Sequence, residues 1–280
     1  MVRWRAIRHR DLNLNMNQLT SLKRKCRLAI SLIAFLFVTA QSFAQKPTDW
    51  KLEKMPVQLE TDYALSALPP YLRANATVYL IDPDKGYYVG RKGSNGFVCF
   101  VSRTEWEWGE FRNDIASAIS YDAEGARTIF RVYQDLEAMR ASGKYTALQV
   151  KNIITDRIKK GIYKAPARTG VSFMLAPVMR NYTGSADQKD VMTMNMPHYM
   201  FYAPYVTNAD IGNTPDGRAD GPLIVNSAAP FLGDRKSPFG YIIVPVGQTK
   251  KEKIIKDNQE LLKRLAAYKP YFNTESGMKH

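Results

Sequence analysis

Apolar and polar residues change period several times along this chain, and the changes mark its elements. Residues 77–82, 87–91 and 97–103 are short runs rich in β-branched and aromatic side chains. Pro83-Asp84-Lys85-Gly86 separates the first two and Gly93-Ser94-Asn95-Gly96 the last two, both turn compositions. The three runs predict an antiparallel meander. A helical period then begins after Asp122, a cap residue, with Ile129, Val132, Tyr133, Leu136 and Met139 at three- and four-residue spacing until Gly143. Thr146 and Gln149 fit a capping box for a second helix carrying Leu148, Val150, Ile153, Ile154 and Ile158 before Gly161. The two stripes predict a helical hairpin packed on the sheet. Asp62 predicts the cap of a short helix stopped by Pro69-Pro70. Residues 171–180, 223–226 and 241–246 read as further strands, and Thr249 with Glu252 opens a closing helix through Tyr268.

Residues 192–206, M-T-M-N-M-P-H-Y-M-F-Y-A-P-Y-V, form the most unusual run. If extended, it places Met192, Met194, Met196, His198 and Met200 on one face and Tyr199 and Phe201 on the other. Apolar residues on both faces are the pattern of a strand covered on two sides. Pro197 cannot donate to a ladder and can break the alternation. Strands, a helical pair, strands again and a closing helix predict an α+β fold: an antiparallel or mixed sheet with a helical hairpin and a C-terminal helix packed on it.

The N-terminus reads differently. An apolar run over residues 28–40 follows Lys23, Arg24, Lys25 and Arg27, and Ser42-Phe43-Ala44 supplies a cleavage pattern. Residues 1–44 are therefore expected to be a signal peptide cut after Ala44, leaving 45–280 as a single exported domain, periplasmic or secreted. A retained anchor is the alternative, although thirteen residues fall short of the ~20 a membrane helix needs. Translation from Met16 instead of Met1 would give a more ordinary leader. Cys26 precedes the apolar run, which is not where a lipid-modified cysteine sits. The membrane enters only through the export signal.

Removing the leader changes the charge. Its eight Lys or Arg and one acid account for half of the formal net charge of +14, so the remainder carries +7. No Lys/Arg block interleaved with aromatics is present, which disfavours nucleic acid as a partner. Without Cys26 the chain has one cysteine, Cys99, and no internal disulfide. Cys99 sits in F-V-C-F-V, the setting of a small core hydrophobe.

Candidate chemistry is limited by histidine. Past the leader only His198 and the terminal His280 remain, which excludes a two-histidine zinc motif. No G-x-S-x-G elbow, G-x-G-x-x-G loop or Walker loop is present. Met194, Met196, His198 and Met200 are candidate ligands for Cu(I), which thioether sulfur and neutral imidazole suit. A calcium loop from Asp210, Asn213, Asp216 and Asp220 departs from the usual ligand spacing, and a solvated turn explains it as well. Asp122 and Glu124 can act as acid or base, or as cap and dipole partner of a helix start. Trp106 and Trp108 would share a face of an extended segment with Glu105 and Glu107 opposite. Such a pair is either a sugar platform beside catalytic carboxylates or the cover of a sheet edge with solvated acids around it.

Several phrases resemble one another's company in a known set: A-T-V-Y-L-I-D-P, G-S-N-G-F-V-C-F-V, Y-D-A-E-G-A-R-T-I, A-P-A-R-T-G-V-S-F-M-L-A-P-V-M-R, M-N-M-P-H-Y-M-F-Y-A-P and G-Y-I-I-V-P-V-G. Together they resemble an uncharacterised family of exported bacterial proteins with no assigned activity, over about residues 64–270. The resemblance implies one secreted domain and supplies no mechanism. It also implies a cysteine before Y-D-A-E-G, where this chain has Ser120. The functional expectation is a binding protein whose pocket beside His198, Tyr199, Tyr202 and Tyr205 takes a small molecule or a metal. The alternatives are a hydrolase-like enzyme using His198, Asp122 or Glu124 as general base, and a partner-binding structural protein.

Overall fold

Strand β3 (Val98–Ser102) shows how the sheet is built: Val98 and Phe100 face one hydrophobic cluster, Cys99 and Val101 the other. Period-two geometry and apolar residues at every position require cover on both faces. The computed structural model describes residues 51–183, 190–207, 209–211, 224–226 and 237–273. These fall within one compact unit, Lys46–His280. The expected leader, with Cys26, lies outside the described residues. Among those described, no helix is long and apolar enough to cross a membrane.

The helices and strands, in order, are α1 (Val57–Ser66), α2 (Pro70–Arg73), β1 (Thr77–Asp82), β2 (Gly86–Arg91), β3, β4 (Ser117–Tyr121), α3 (Ala123–Arg127), α4 (Phe130–Ala141) and α5 (Ala147–Lys159). Then follow β5 (Val171–Met174), β6 (Met179–Tyr182), β7 (Val191–Met194), β8 (His198–Tyr202), β9 (Ile224–Asn226), β10 (Tyr241–Pro245), α6 (Gln248–Asp257) and α7 (Gln259–Tyr268). Eight strands form one mixed sheet in the order β2-β1-β3-β4-β5-β8-β10-β9, and β6 pairs with β7 separately. Helices α4 and α5 cover one face, and α1 and α7 the other. The α+β architecture expected from the pattern is thus the observed one, with the hairpin and C-terminal helices on opposite sides of the sheet.

Three local expectations are corrected. The first three strands are not a meander, because β3 pairs with β1 in parallel. After β2 the chain crosses beneath the start of β1, where Ser94 and Asn95 amides donate to the Asn75 carbonyl and the Thr77 amide donates to the Phe97 carbonyl. The crossing needs Gly93: a Cβ there would meet the Asn75 carbonyl oxygen and the Ala76 carbonyl carbon at 2.3 Å, both rigid backbone. Gly93→Ala is expected to cost about 1–3 kcal/mol through that overlap, read from the urea-unfolding midpoint. A loss below a few tenths of a kcal/mol would mean that the crossing yields more easily than its contacts suggest.

The second correction concerns helix continuity. Asp122 does cap a helix, its Oδ1 accepting from the amides of Glu124 and Gly125. That helix, α3, ends at Thr128, whose hydroxyl bonds back to the Glu124 carbonyl at 2.7 Å and bends the chain before α4. Asn258 likewise turns its amide to the Ile254 carbonyl and divides the closing helix into α6 and α7. The capping box expected at Thr249 is absent: Gly247 is the N-cap and makes no side-chain cap bond. The box at Thr146 and Gln149 is present. Asp62 lies inside α1, where it accepts from Gln58 and from Arg264 of α7 and ties the two helices together.

The third is the run at 192–206, which is two strands in two sheets. Val191–Met194 pairs with β6, the chain leaves at Asn195-Met196-Pro197, and His198–Tyr202 enters the main sheet between β5 and β10. Pro197 is where the ladder stops, as its missing N–H requires. Residues 171–180 similarly divide into β5 and β6.

Candidate functional site

Between helix α4, the turn at residues 105–108 and the sheet lies a cavity of about 280 Å³. The sheet contributes Ile119 and Tyr121 from β4, Met174 from β5, His198 and Met200 from β8, and Tyr241 and Ile243 from β10. Alternation places these on one face, while Tyr199 points to the opposite cluster. Val132 and Tyr133 of α4, with Ile129 just before it, form the opposing wall. Met179, Asn181 and Tyr182 close one side from β6, and Met196 and Phe239 come from the segments entering β8 and β10.

The remaining wall is Glu105-Trp106-Glu107-Trp108. The stretch is not extended: residues Trp106–Trp108 form a 3₁₀ turn ended by Gly109 at φ 63°, a left-handed value suited to glycine. The turn brings both tryptophans and both acids to the same cavity, so the picture of solvated acids across from the aromatic pair does not apply. Trp108 stacks on Tyr182 with ring centroids 4.1 Å apart and planes 6° from parallel.

Arg140 of α4 holds this wall in place. It is 1% exposed and donates to the carbonyls of Arg103 (3.1 Å) and Arg112 (2.9 Å), to the Thr104 hydroxyl (2.7 Å) and to Asn113 Oδ1 (2.8 Å). Its guanidinium also lies 4.9 Å from the Phe111 ring centre. Arg103 donates in turn to the Ile115 carbonyl at 3.0 Å. Residues 103–113 are therefore fixed at both ends of the acid-bearing turn.

Burial sets the electrostatics. It raises the pKa of Glu105, against weak hydrogen bonds from Ser102 (3.3 Å) and Asn181 (3.4 Å). Burial also pushes Glu107 well above the usual carboxylate range, with the neighbouring Glu105 charge adding to it. Glu107 Oε2 is buried and has no hydrogen-bond partner among the described residues. His198 is 2% exposed, and burial lowers its pKa, so it is neutral near pH 7. Its Nδ1 lies 2.7 Å from the Met196 carbonyl. A neutral ring donating there carries its lone pair on Nε2, the atom available as base or ligand.

Of the residues expected from sequence, Met196, His198 and Met200 line the cavity, and Met194 packs half-buried against the same cluster. Their neighbours Met174 and Met179 add two more thioethers, so the soft-donor set around His198 differs from the expected one. Among the described residues no group of three or more His, Cys, Asp or Glu side chains is arranged to hold a metal. Asp122 and Glu124 stand outside the cavity. Asp122 also accepts from the Val171 amide (3.0 Å) and the Tyr202 hydroxyl (2.9 Å). Glu124 accepts from the Ala167 amide and from Arg127, which together hold its pKa below the ordinary value. Cap and dipole partner are the roles that geometry gives them. Tyr202 is buried with its hydroxyl committed to Asp122, and Tyr205 is 56% exposed; neither lines the cavity. Asp210 bonds to Thr207 in a turn, while Asn213, Asp216 and Asp220 lie outside the described residues.

Sequence reasoning weighed Glu105 and Glu107 as carboxylates beside an aromatic platform, without linking them to His198, and did not assign Tyr133, Tyr182 or Tyr241 to a site. The available signal was E-W-E-W without an intervening base. Cys99 stands directly opposite Ser120 in the β3–β4 register, fully buried, its thiol pKa pushed far up by desolvation. It is a core residue. Compared with known proteins, the chain matches no family model, no curated protein and no solved structure.

Proposed function

We propose that this is an exported binding protein whose ligand is a small molecule held between helix α4, the turn at residues 105–108 and the sheet, in the cavity that His198 lines. The cavity itself carries the proposal. At about 280 Å³ it lies near the lower end of the range of small-molecule sites, which suits a metabolite. Its walls are largely aromatic and aliphatic with a few polar groups, the usual composition of ligand sites. The export part of the proposal is supported by the basic and apolar leader pattern with its Ser42-Phe43-Ala44 end.

Met196 provides the test, since it lines the cavity and is also 39% exposed, at the rim. Met196→Trp is expected to obstruct access without disturbing core packing. Native mass spectrometry of the purified protein should show a retained small mass, or binding from a metabolite mixture, that falls at least tenfold in the variant while circular dichroism stays unchanged. No bound mass in either protein overturns the proposal. Adding Cu(I) to the same samples addresses the thioethers beside His198: stoichiometric copper lost in Met200→Leu would make the ligand a metal.

One observation favours a second reading. A carboxyl kept protonated toward neutral pH and a neutral imidazole line the same cavity, the pairing that general acid–base catalysis requires. In a hydrolase-like enzyme Glu105 would donate the proton and His198 Nε2 would accept one. His198→Ala would then abolish turnover of a bound compound while sparing its affinity.

A further inference from the structure

Resting on the small-molecule reading, we infer that the ligand is an organic cation, an amine or quaternary ammonium of metabolite size, seated against the aromatic walls with its charge beside Glu105 and Glu107. The argument comes from which polar groups are already committed. The Tyr121 and Tyr241 hydroxyls bond each other at 2.8 Å. The Tyr182 hydroxyl donates to Glu110 at 2.7 Å, the Asn181 amide reaches Glu105, and His198 Nδ1 is taken by the Met196 carbonyl. A sugar or other polyol would find few of these donors and acceptors available. Glu107 Oε2, in contrast, is buried without a hydrogen-bond partner among the described residues.

No Lys or Arg is among the described residues that line the cavity. Lys151 of α5 acts on Glu107 electrostatically but stands outside the lining set, so an anionic ligand would find no cation in the lining to compensate its charge. Trp108, Tyr121, Tyr133, Tyr182 and Tyr241 give the lining the aromatic rings whose negative faces attract a desolvated cation. Cation and carboxylate need each other here: burial alone disfavours the ionised acids, and a bound positive charge restores them.

That coupling gives the site a pH signature. The titratable and charged groups around the two acids are Lys151 on α5, Tyr133 and Glu137 on α4, and Tyr241 on β10. Tyr87 on β2, Tyr121 on β4, Tyr182 on β6 and His198 on β8 stand with them. The tyrosines stay neutral, since burial raises each of them, and His198 stays neutral because burial lowers it. Cation binding should therefore tighten as pH rises through the raised carboxyl range and release protons below it.

The test compares isosteres by titration calorimetry on the purified chain: choline against 3,3-dimethylbutan-1-ol, and putrescine against butane-1,4-diol. At least one cation is expected to bind tenfold or more tightly than its neutral partner, with the preference lost in Glu107→Gln and diminished at pH 5.5. Equal or tighter binding of the neutral isosteres would overturn the cationic class and leave the cavity reading standing. Binding by neither set also overturns the cationic class. The cavity reading falls separately, only if the native spectra show no bound mass.

Discussion

Arg140→Met is expected to lower the free energy of urea unfolding by about 3–5 kcal/mol, the usual penalty for breaking a buried charged network from one side. The methionine keeps most of the side-chain volume, so the loss would report electrostatics and hydrogen bonding rather than a void. Four acceptors lose their donors: the carbonyls of Arg103 and Arg112, the Thr104 hydroxyl and Asn113 Oδ1. Glu137, one turn earlier on α4 and 2% exposed, loses the positive charge that opposes its desolvation. Burial lowers the Arg140 pKa to about 10, which still leaves it a cation near neutral pH. Arg140→Lys separates charge from geometry, since an ammonium cannot reproduce the guanidinium fork; it should recover only part of the loss. Because the same side chain fixes residues 103–113, tryptophan fluorescence of Arg140→Met should shift to the red below the unfolding transition. A variant within 1 kcal/mol of the parent would show that the network contributes little.

Stability is expected to fall, not rise, between pH 5 and pH 8. Glu60 of α1 is 3% exposed, and burial raises its pKa from 4.5 to about 7 even though it accepts a hydrogen bond from the Ile81 amide at 2.9 Å. In that window the folded chain binds more protons than the unfolded one, so the contribution is complete below the ordinary carboxyl value and lost as pH rises through about 7. At 1.36 kcal/mol per pKa unit, Glu60 alone accounts for about 3 kcal/mol. Glu137 shifts in the same direction, as do the two cavity acids, and together they outnumber His198, whose burial-lowered pKa acts in the opposite sense. Asp114 does not offset them here: the guanidinia of Arg112 and Arg180 outweigh its burial and hold its pKa at about 2, so its contribution disappears only at lower pH. Glu60→Gln keeps an acceptor for the Ile81 amide and removes the proton. It should flatten the profile and be the more stable protein at pH 8. A parent stability that climbs steadily from pH 5 to pH 8 would contradict this assignment.

Much of the fold was legible because periodicity reports burial. The β1 bounds and the α4–α5 hairpin follow from runs of Val, Ile, Tyr and Leu at two- or three-to-four-residue spacing. The parallel β1–β3 pairing was not legible, since a turn composition such as G-S-N-G marks a reversal without saying which side of β1 the chain reaches. Helix breaks at Thr128 and Asn258 depend on side-chain bonds to backbone carbonyls, whose formation is decided by tertiary placement. At the site, His198 stood out as the internal histidine beyond the leader, and the cavity does include it. Tyr199 failed as a partner because adjacency in sequence is opposition in a strand. Glu105 and Glu107 stayed open between catalytic carboxylates and solvated acids because nothing in E-W-E-W shows that an arginine 33 to 35 residues later will fold the stretch inward.

The position of Cys99 makes the chain its own unfolding gauge. Its thiol is fully buried at the centre of the sheet, opposite Ser120 and beneath α1. A thiol reagent can reach it only when the sheet opens, so in a Cys26→Ser background the labelling rate, divided by that of the free thiol, reads the opening equilibrium directly. Labelling at increasing urea would then separate local loosening from global unfolding without any added probe.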